Sequence, residues 1–216
     1  MMKCFVPGTT QQIEMIRNLG LKSEWLQDIA RKALAAYNQV TAHDAATAAG
    51  SYAYFAAIRE LRDILCPKGW EPYMRMNVEM VFHPETNIWI MVSSGNKDTG
   101  NENGTPQTKN EKGKETKKWV SLNDKQICFP NMERKITNIS LSHIWILLFH
   151  IDTLKSQMRM ELSLPTKVDI DGSRVNTWND RIIIDPIDFS HTPSPPKKHQ
   201  DFVPDITIKL ERKSNG

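Results

Sequence analysis

Hydrophobic positions recur first at a helical period and then at a strand period. Leu26, Ile29, Ala30, Ala33, Leu34 and Tyr37 fall on one face of a helix expected to run from a Ser23 cap to about Val40. A shorter helix over Gln11–Asn18 precedes it, closed by Leu19-Gly20. In a third, Tyr54, Ile58, Leu61 and Leu65 share a face; Ser51 is its expected cap, and Pro67 and Gly69 stop it. Beyond residue 70 the pattern alternates. Met76, Val78, Met80 and Phe82 are followed by a turn at His83–Asn87 and by Ile88–Val92, which is apolar on both faces. A strand of that kind belongs in the middle of a sheet covered on both sides.

Ser93–Lys118 breaks this pattern. It is polar, carries Gly95, Gly100, Gly104 and Gly113, and reads as a long loop followed by a mixed stretch around Ile127-Cys128-Phe129. Leu141–Ile151 reads as a buried strand. Met158, Met160, Leu162 and Leu164 then point inward, against Arg159, Glu161 and Ser163. Asp171-Gly172 is a hairpin turn joining Lys167–Ile170 to Arg174–Thr177. Arg181–Asp185 is a further strand, and a proline-rich basic segment covers 190–204. Ile206, Ile208 and Leu210 alternate in a last strand.

Helices first and strands afterwards predict an α+β fold, with an N-terminal helical pair packed on a mainly antiparallel β-sheet with long loop excursions. One domain over residues 1–216 is expected, helical to residue 70 and mainly β from residue 71, with the polar loop at 93–118 and the basic loop at 190–204. At 216 residues, 39% hydrophobic and 25% charged, the chain is long enough to bury a core without disulfide or metal staples. Cys4, Cys66 and Cys128 are widely spaced, with no C-x-x-C and no neighbouring histidine cluster, and read as free thiols in a reducing cytoplasm. The N-terminus lacks the apolar run of a signal peptide, and no segment is long and apolar enough to span a bilayer, so no membrane partner is expected. The net charge of +3 is mild for a nucleic-acid protein, although a local patch suffices.

Two basic stretches carry the candidate binding chemistry. Lys109, Lys112, Lys114, Lys117 and Lys118 lead into Trp119, a pattern that grips phosphates while a base stacks on the ring; Glu111 and Glu115 dilute it. Pro193-Ser194-Pro195-Pro196 presents Lys197, Lys198 and His199 from an extended polyproline conformation, and equally suits a plain connector. Gly95-Asn96-Lys97-Asp98-Thr99-Gly100 follows an apolar strand as a phosphate loop would, but lacks the Gly-Lys-Ser/Thr ending that leads into a helix. Glu161, Asp169, Asp171, Asp180, Asp185 and Asp188 provide carboxylates for a metal-dependent phosphodiesterase or nuclease. No complete motif supports it: Pro204-Asp205 with Glu211-Arg212-Lys213 keeps both acids on one strand. Neither a zinc-protease spacing nor a nucleophile elbow occurs, and no catalytic residue, metal or cofactor is assigned.

Gly69-Trp70, His83–Asn87, Thr108–Gly113, Glu161–Pro165 and Trp178–Ile184 together give a pattern that resembles uncharacterised prokaryotic proteins from mobile-element or defence-related gene neighbourhoods. That resemblance implies work near nucleic acid or its processing machinery, and carries over no activity and no site residue. The function expected is a non-enzymatic binding or accessory protein acting through a protein partner or a nucleic-acid backbone.

Overall fold

The computed structural model describes residues 2–128, 143–168 and 174–190. It opens with a short strand that the sequence does not announce, β1 (Lys3–Phe5), followed by α1 (Thr10–Asn18), α2 (Ser23–Tyr37) and α3 (Ala48–Leu65). Thr9 caps α1, its hydroxyl accepting from the Gln12 amide at 3.2 Å. At the other end Gly20, at φ +71°, lets the Gly20 amide reach Arg17 O and the Leu21 amide reach Ile16 O, a Schellman closure. The two serine caps expected from sequence are displaced. Ser23 is the first residue of α2, while Ser51 sits one turn inside α3, its hydroxyl donating back to Thr47 O at 3.0 Å.

α2 and α3 lie against each other, with Ala33, Ala53 and Ala57 fully buried. α1 packs on β7 (Val175–Asp188), α2 on β7 and β6 (Gln157–Val168), and α3 on β3 (Val78–His83) and β4 (Ile88–Ser94). Leu26, Ile29, Leu61 and Leu65 meet Val81, Ile90, Leu147, Leu162 and Ile182 in the larger core. Burial on this scale supplies about 1.5–3 kcal/mol for each large aliphatic side chain.

Together with β2 (Glu71–Arg75) and β5 (His143–Asp152), the strands form one seven-stranded sheet in the order β1-β7-β6-β5-β4-β3-β2. The fold is α+β. The sheet is mixed where a mainly antiparallel one was expected, because β4 pairs in parallel with β5 and β1 in parallel with β7. The parallel β4–β5 pair follows from the crossover between them, which contains a fourth helix, α4 (Lys114–Cys128). The polar stretch is therefore a loop only over 95–113; from Lys114 through Cys128 the chain is helical.

α4 covers the second face of the sheet, where Val120 meets Met80, Met91, Ile144, Ile146, Leu148, Val175 and Trp178. Asn123 anchors it: fully buried, its amide donates to Ile144 O at 2.8 Å and Pro165 O at 2.9 Å and accepts from the Ile144 amide at 3.0 Å. β4 has cover on both faces, as its sequence requires. The Asp171-Gly172 turn, the Ile206–Leu210 strand and the Lys197-Lys198-His199 segment lie outside the described residues; the strands flanking that turn, β6 and β7, pair antiparallel.

Candidate functional site

The loop 95–113 is folded onto the second face of the sheet around one buried ion pair. Arg181 and Glu161 are both fully buried, with Nη2 donating to Oε2 at 2.6 Å and Nε to Oε1 at 3.3 Å. The remaining guanidinium donors reach loop carbonyls, Nη2 to Asn101 at 2.9 Å and Nη1 to Glu102 and Gly104 at 3.3 Å. Glu161 also accepts from the Gly100 amide at 2.9 Å and the Ser163 hydroxyl at 2.8 Å. This corrects the reading of β6 as half solvated. Arg159 does keep a partly open position, but Glu161 and Ser163 are covered by a segment some sixty residues earlier in the chain. Glu161, fully committed to Arg181, is also no free metal ligand, and the described residues contain no cluster of three metal-ligating side chains.

Gly95–Gly100 is equally self-contained. The amides of Gly95, Asn96, Thr99 and Gly100 donate to Phe149 O, Gln107 O, Asn96 O and Glu161, and that of Asp98 to Asn96 Oδ1. A phosphate cradle needs these groups free. Gly95 is required by contact: a Cβ there would lie 2.0 Å from Thr99 Oγ1. Further along, Trp178 Nε1 donates to Pro106 O at 2.8 Å, and the Thr108 amide to Val175 O at 3.0 Å.

With the loop fixed, residues 111–116 are held beside the C-terminal end of β4, and a cavity of about 470 Å³ opens there. Its walls come from Tyr54 of α3, from Met76, Asn77, Val78 and Glu79 of the β2–β3 hairpin, from Met91 and Val92, and from Glu111 to Lys114 with Thr116. The hairpin turn has positive φ at both central residues, Met76 (49°) and Asn77 (62°), the two-residue geometry that suits the twist of paired strands. Glu79 is engaged by Arg62 of α3 at 2.5 Å. Burial, and next the nearby Glu79 charge, raise the Tyr54 pKa.

Lys112 is the chemical centre of this cavity. The residue as a whole is half-buried, its ammonium is desolvated, and it donates at 2.7 Å to Ser93 Oγ, which in turn donates to Ser94 O. It has no carboxylate partner among the described residues, and burial alone pushes its pKa from 10.5 down to about 8. Lys114 lines the cavity mouth. Lys117 and Lys118 follow three and four positions on, one helical face of α4, with Lys118 exposed and Lys117 half-buried. Lys109 is exposed just ahead of them, its amide fixed on Ser94 O at 2.9 Å.

Five lysines singled out by sequence thus lie along one segment: Lys112 and Lys114 line the cavity, while Lys109, Lys117 and Lys118 lie outside its lining. Trp119 turns toward the sheet instead. It is half-buried, tilted against Trp89 at 5.2 Å and edge-on to Tyr73 at 6.4 Å, in a cluster that includes Phe82 stacked on Trp89 at 4.5 Å. Lys197, Lys198 and His199 lie outside the described residues. Sequence reasoning did not single out Tyr54, Glu79 or Thr116 as cavity residues, nor Ser93 as the partner of Lys112; they converge only through the β2–β3 hairpin and the β4–α4 crossover. No protein family, curated protein or solved structure compared with this chain matches it.

Proposed function

We propose that the chain is a binding protein that grips an anionic partner, the phosphate backbone of a nucleic acid, through the lysines gathered around the β4–α4 cavity. The observation that carries this reading is the Lys112 ammonium, desolvated, with no counter-ion among the described residues and hydrogen-bonded to a single hydroxyl. A buried, unpaired cation is costly to a fold, and an arriving anion offsets that cost. The exposed Lys109, Lys114 and Lys118, with half-buried Lys117, extend the same charge outward. The resemblance to proteins of mobile-element and defence neighbourhoods favours a nucleic-acid setting, and the free Cys4 and Cys66 thiols suit a reducing compartment. Among the described residues no helix is long and apolar enough to cross a membrane.

The test is binding of labelled duplex DNA and single-stranded RNA at about 50 and 200 mM salt. Four lysine–phosphate contacts on a single strand correspond to a log–log salt slope of about −3, an affinity loss of roughly 50-fold across that interval. Replacing Lys109, Lys114, Lys117 and Lys118 by glutamine should flatten the slope. Absence of binding at both salts refutes the nucleic-acid reading and leaves a protein partner, to be sought by pull-down.

A further inference from the structure

We propose that the β4–α4 cavity is an end-recognition site, taking the terminal phosphate monoester of a nucleotide chain in place of an internal phosphodiester. This rests on the anion-binding reading above and adds to it which phosphate is bound and where. The enclosure carries the argument. Lys114 is exposed where it lines the cavity, and Lys109 and Lys118 are exposed along the same segment, open to a continuous backbone, whereas the Lys112 ammonium is held at Ser93 Oγ. An internal diester is tethered on both sides and offers two non-bridging oxygens. A terminal monoester is tethered once, carries up to two negative charges near neutral pH, and offers three acceptor oxygens that can be inserted into a pocket. About 470 Å³ also leaves room for much of the terminal nucleotide beside its phosphate.

The donors inside the cavity match such a group. Lys112 comes from one side, oriented from behind by Ser93, whose hydroxyl accepts from the ammonium and donates to Ser94 O at 3.2 Å. From the other, α4 begins at Lys114, and its first helical hydrogen bond runs from the Lys117 amide back to Gly113 O at 3.2 Å, leaving the preceding amides without acceptors in the helix. Thr116, only 4% exposed, lines the cavity, and its hydroxyl has no hydrogen-bond partner among the described residues. One ammonium, one hydroxyl and a helix start therefore converge on a volume that Glu111 also lines at the surface and in which Glu79 is already held by Arg62. The apolar wall of Val78, Met91 and Tyr54 suits the sugar or base that follows the phosphate.

The experiment compares one fluorescent single-stranded oligonucleotide carrying a 5′-phosphate, a 3′-phosphate or only hydroxyl ends, with adenosine monophosphate as competitor, at about 150 mM salt. The expected result is at least tenfold tighter binding of one phosphorylated end than of the hydroxyl form. Lys112→Met should reduce that ratio to about one, whereas glutamine at Lys109 and Lys118, outside the cavity lining, should weaken all three oligonucleotides alike and leave the ratio standing. Ser93→Ala, a milder change, should reduce it partially. Equal, salt-dependent binding of all three oligonucleotides overturns the end-recognition site and leaves the backbone reading standing. Binding of none of them, and no displacement or protection by adenosine monophosphate, overturns both. Protection of Lys112 by adenosine monophosphate without any oligonucleotide binding supports the monoester site and overturns the nucleic-acid reading, making the free nucleotide the ligand.

Discussion

Replacing Arg181 by methionine tests the organisation of the whole loop side of the molecule. Methionine retains most of the stem volume and removes every guanidinium donor. Five hydrogen bonds are lost, two to Glu161 and three to the carbonyls of Asn101, Glu102 and Gly104. The Glu161 carboxylate stays in place, fully buried, with only the Gly100 amide and Ser163 hydroxyl donating to it. Breaking a buried pair from one side costs about 3–5 kcal/mol, and for a chain of this size each kcal/mol lowers the melting temperature by about 2–4 °C. We therefore expect a fall of about 10 °C, together with faster hydrogen exchange at Gly100. The double variant Arg181→Met, Glu161→Leu should recover only part of the loss. It removes the orphaned charge but leaves the Gly100 amide and three carbonyls without partners. A change under about 2 °C with unaltered Gly100 exchange would refute the claim that this pair pins the loop.

Lys112 gives a pH signature. Its folded pKa of about 8 lies below the unfolded value near 10.5, so between those values the unfolded chain holds a proton the folded one has released, and stability rises with pH through that window. The groups around it, Glu111, Lys114, Glu79 with Arg62, and Tyr54, are unchanged in Lys112→Met, so that variant should be more stable than wild type at pH 7 by about 3 kcal/mol, with the advantage gone near pH 10.5. Urea titrations at both pH values check this, and a pH-independent difference would contradict it. Gly95→Ala drives a methyl into Thr99 Oγ1 and should cost about 2 kcal/mol or more; pairing it with Thr99→Ala should restore part of that. Met76→Asn places a residue tolerant of positive φ at a 76% exposed position and should stabilise by about 0.5–1 kcal/mol in the same assay; a loss would mean that the methionine side chain packs on the cavity.

Local pattern made several elements legible. β4 is apolar on both faces because both faces are covered, and the single-faced stripes of α2 and α3 announce where they pack. What escaped is what depends on distant partners. Glu161 and Ser163 look like the solvent side of an alternating strand, and only the loop folded over them makes that side interior. α4 is hard to see because, among its described side chains, the buried positions are Thr116, Val120 and Asn123, two of them polar and one of these satisfied by strand backbone. The parallel β4–β5 pairing followed from that missed helix. The lysine run was legible as a basic segment, but no spacing rule separates the enclosed Lys112 from its exposed neighbours.

The loop-to-Arg181 contacts also carry an order of assembly. Asn101 and its neighbours bind a side chain about 80 residues later, on the last strand described. During synthesis, loop 95–113 therefore emerges well before the residue that fixes it, and closing so long a stretch of chain is entropically slow. The wall of the cavity that follows this loop cannot settle until β7 has docked. A chain shortened before residue 181 would keep every lysine of the basic segment and still lack the side chain that holds loop 95–113 in place.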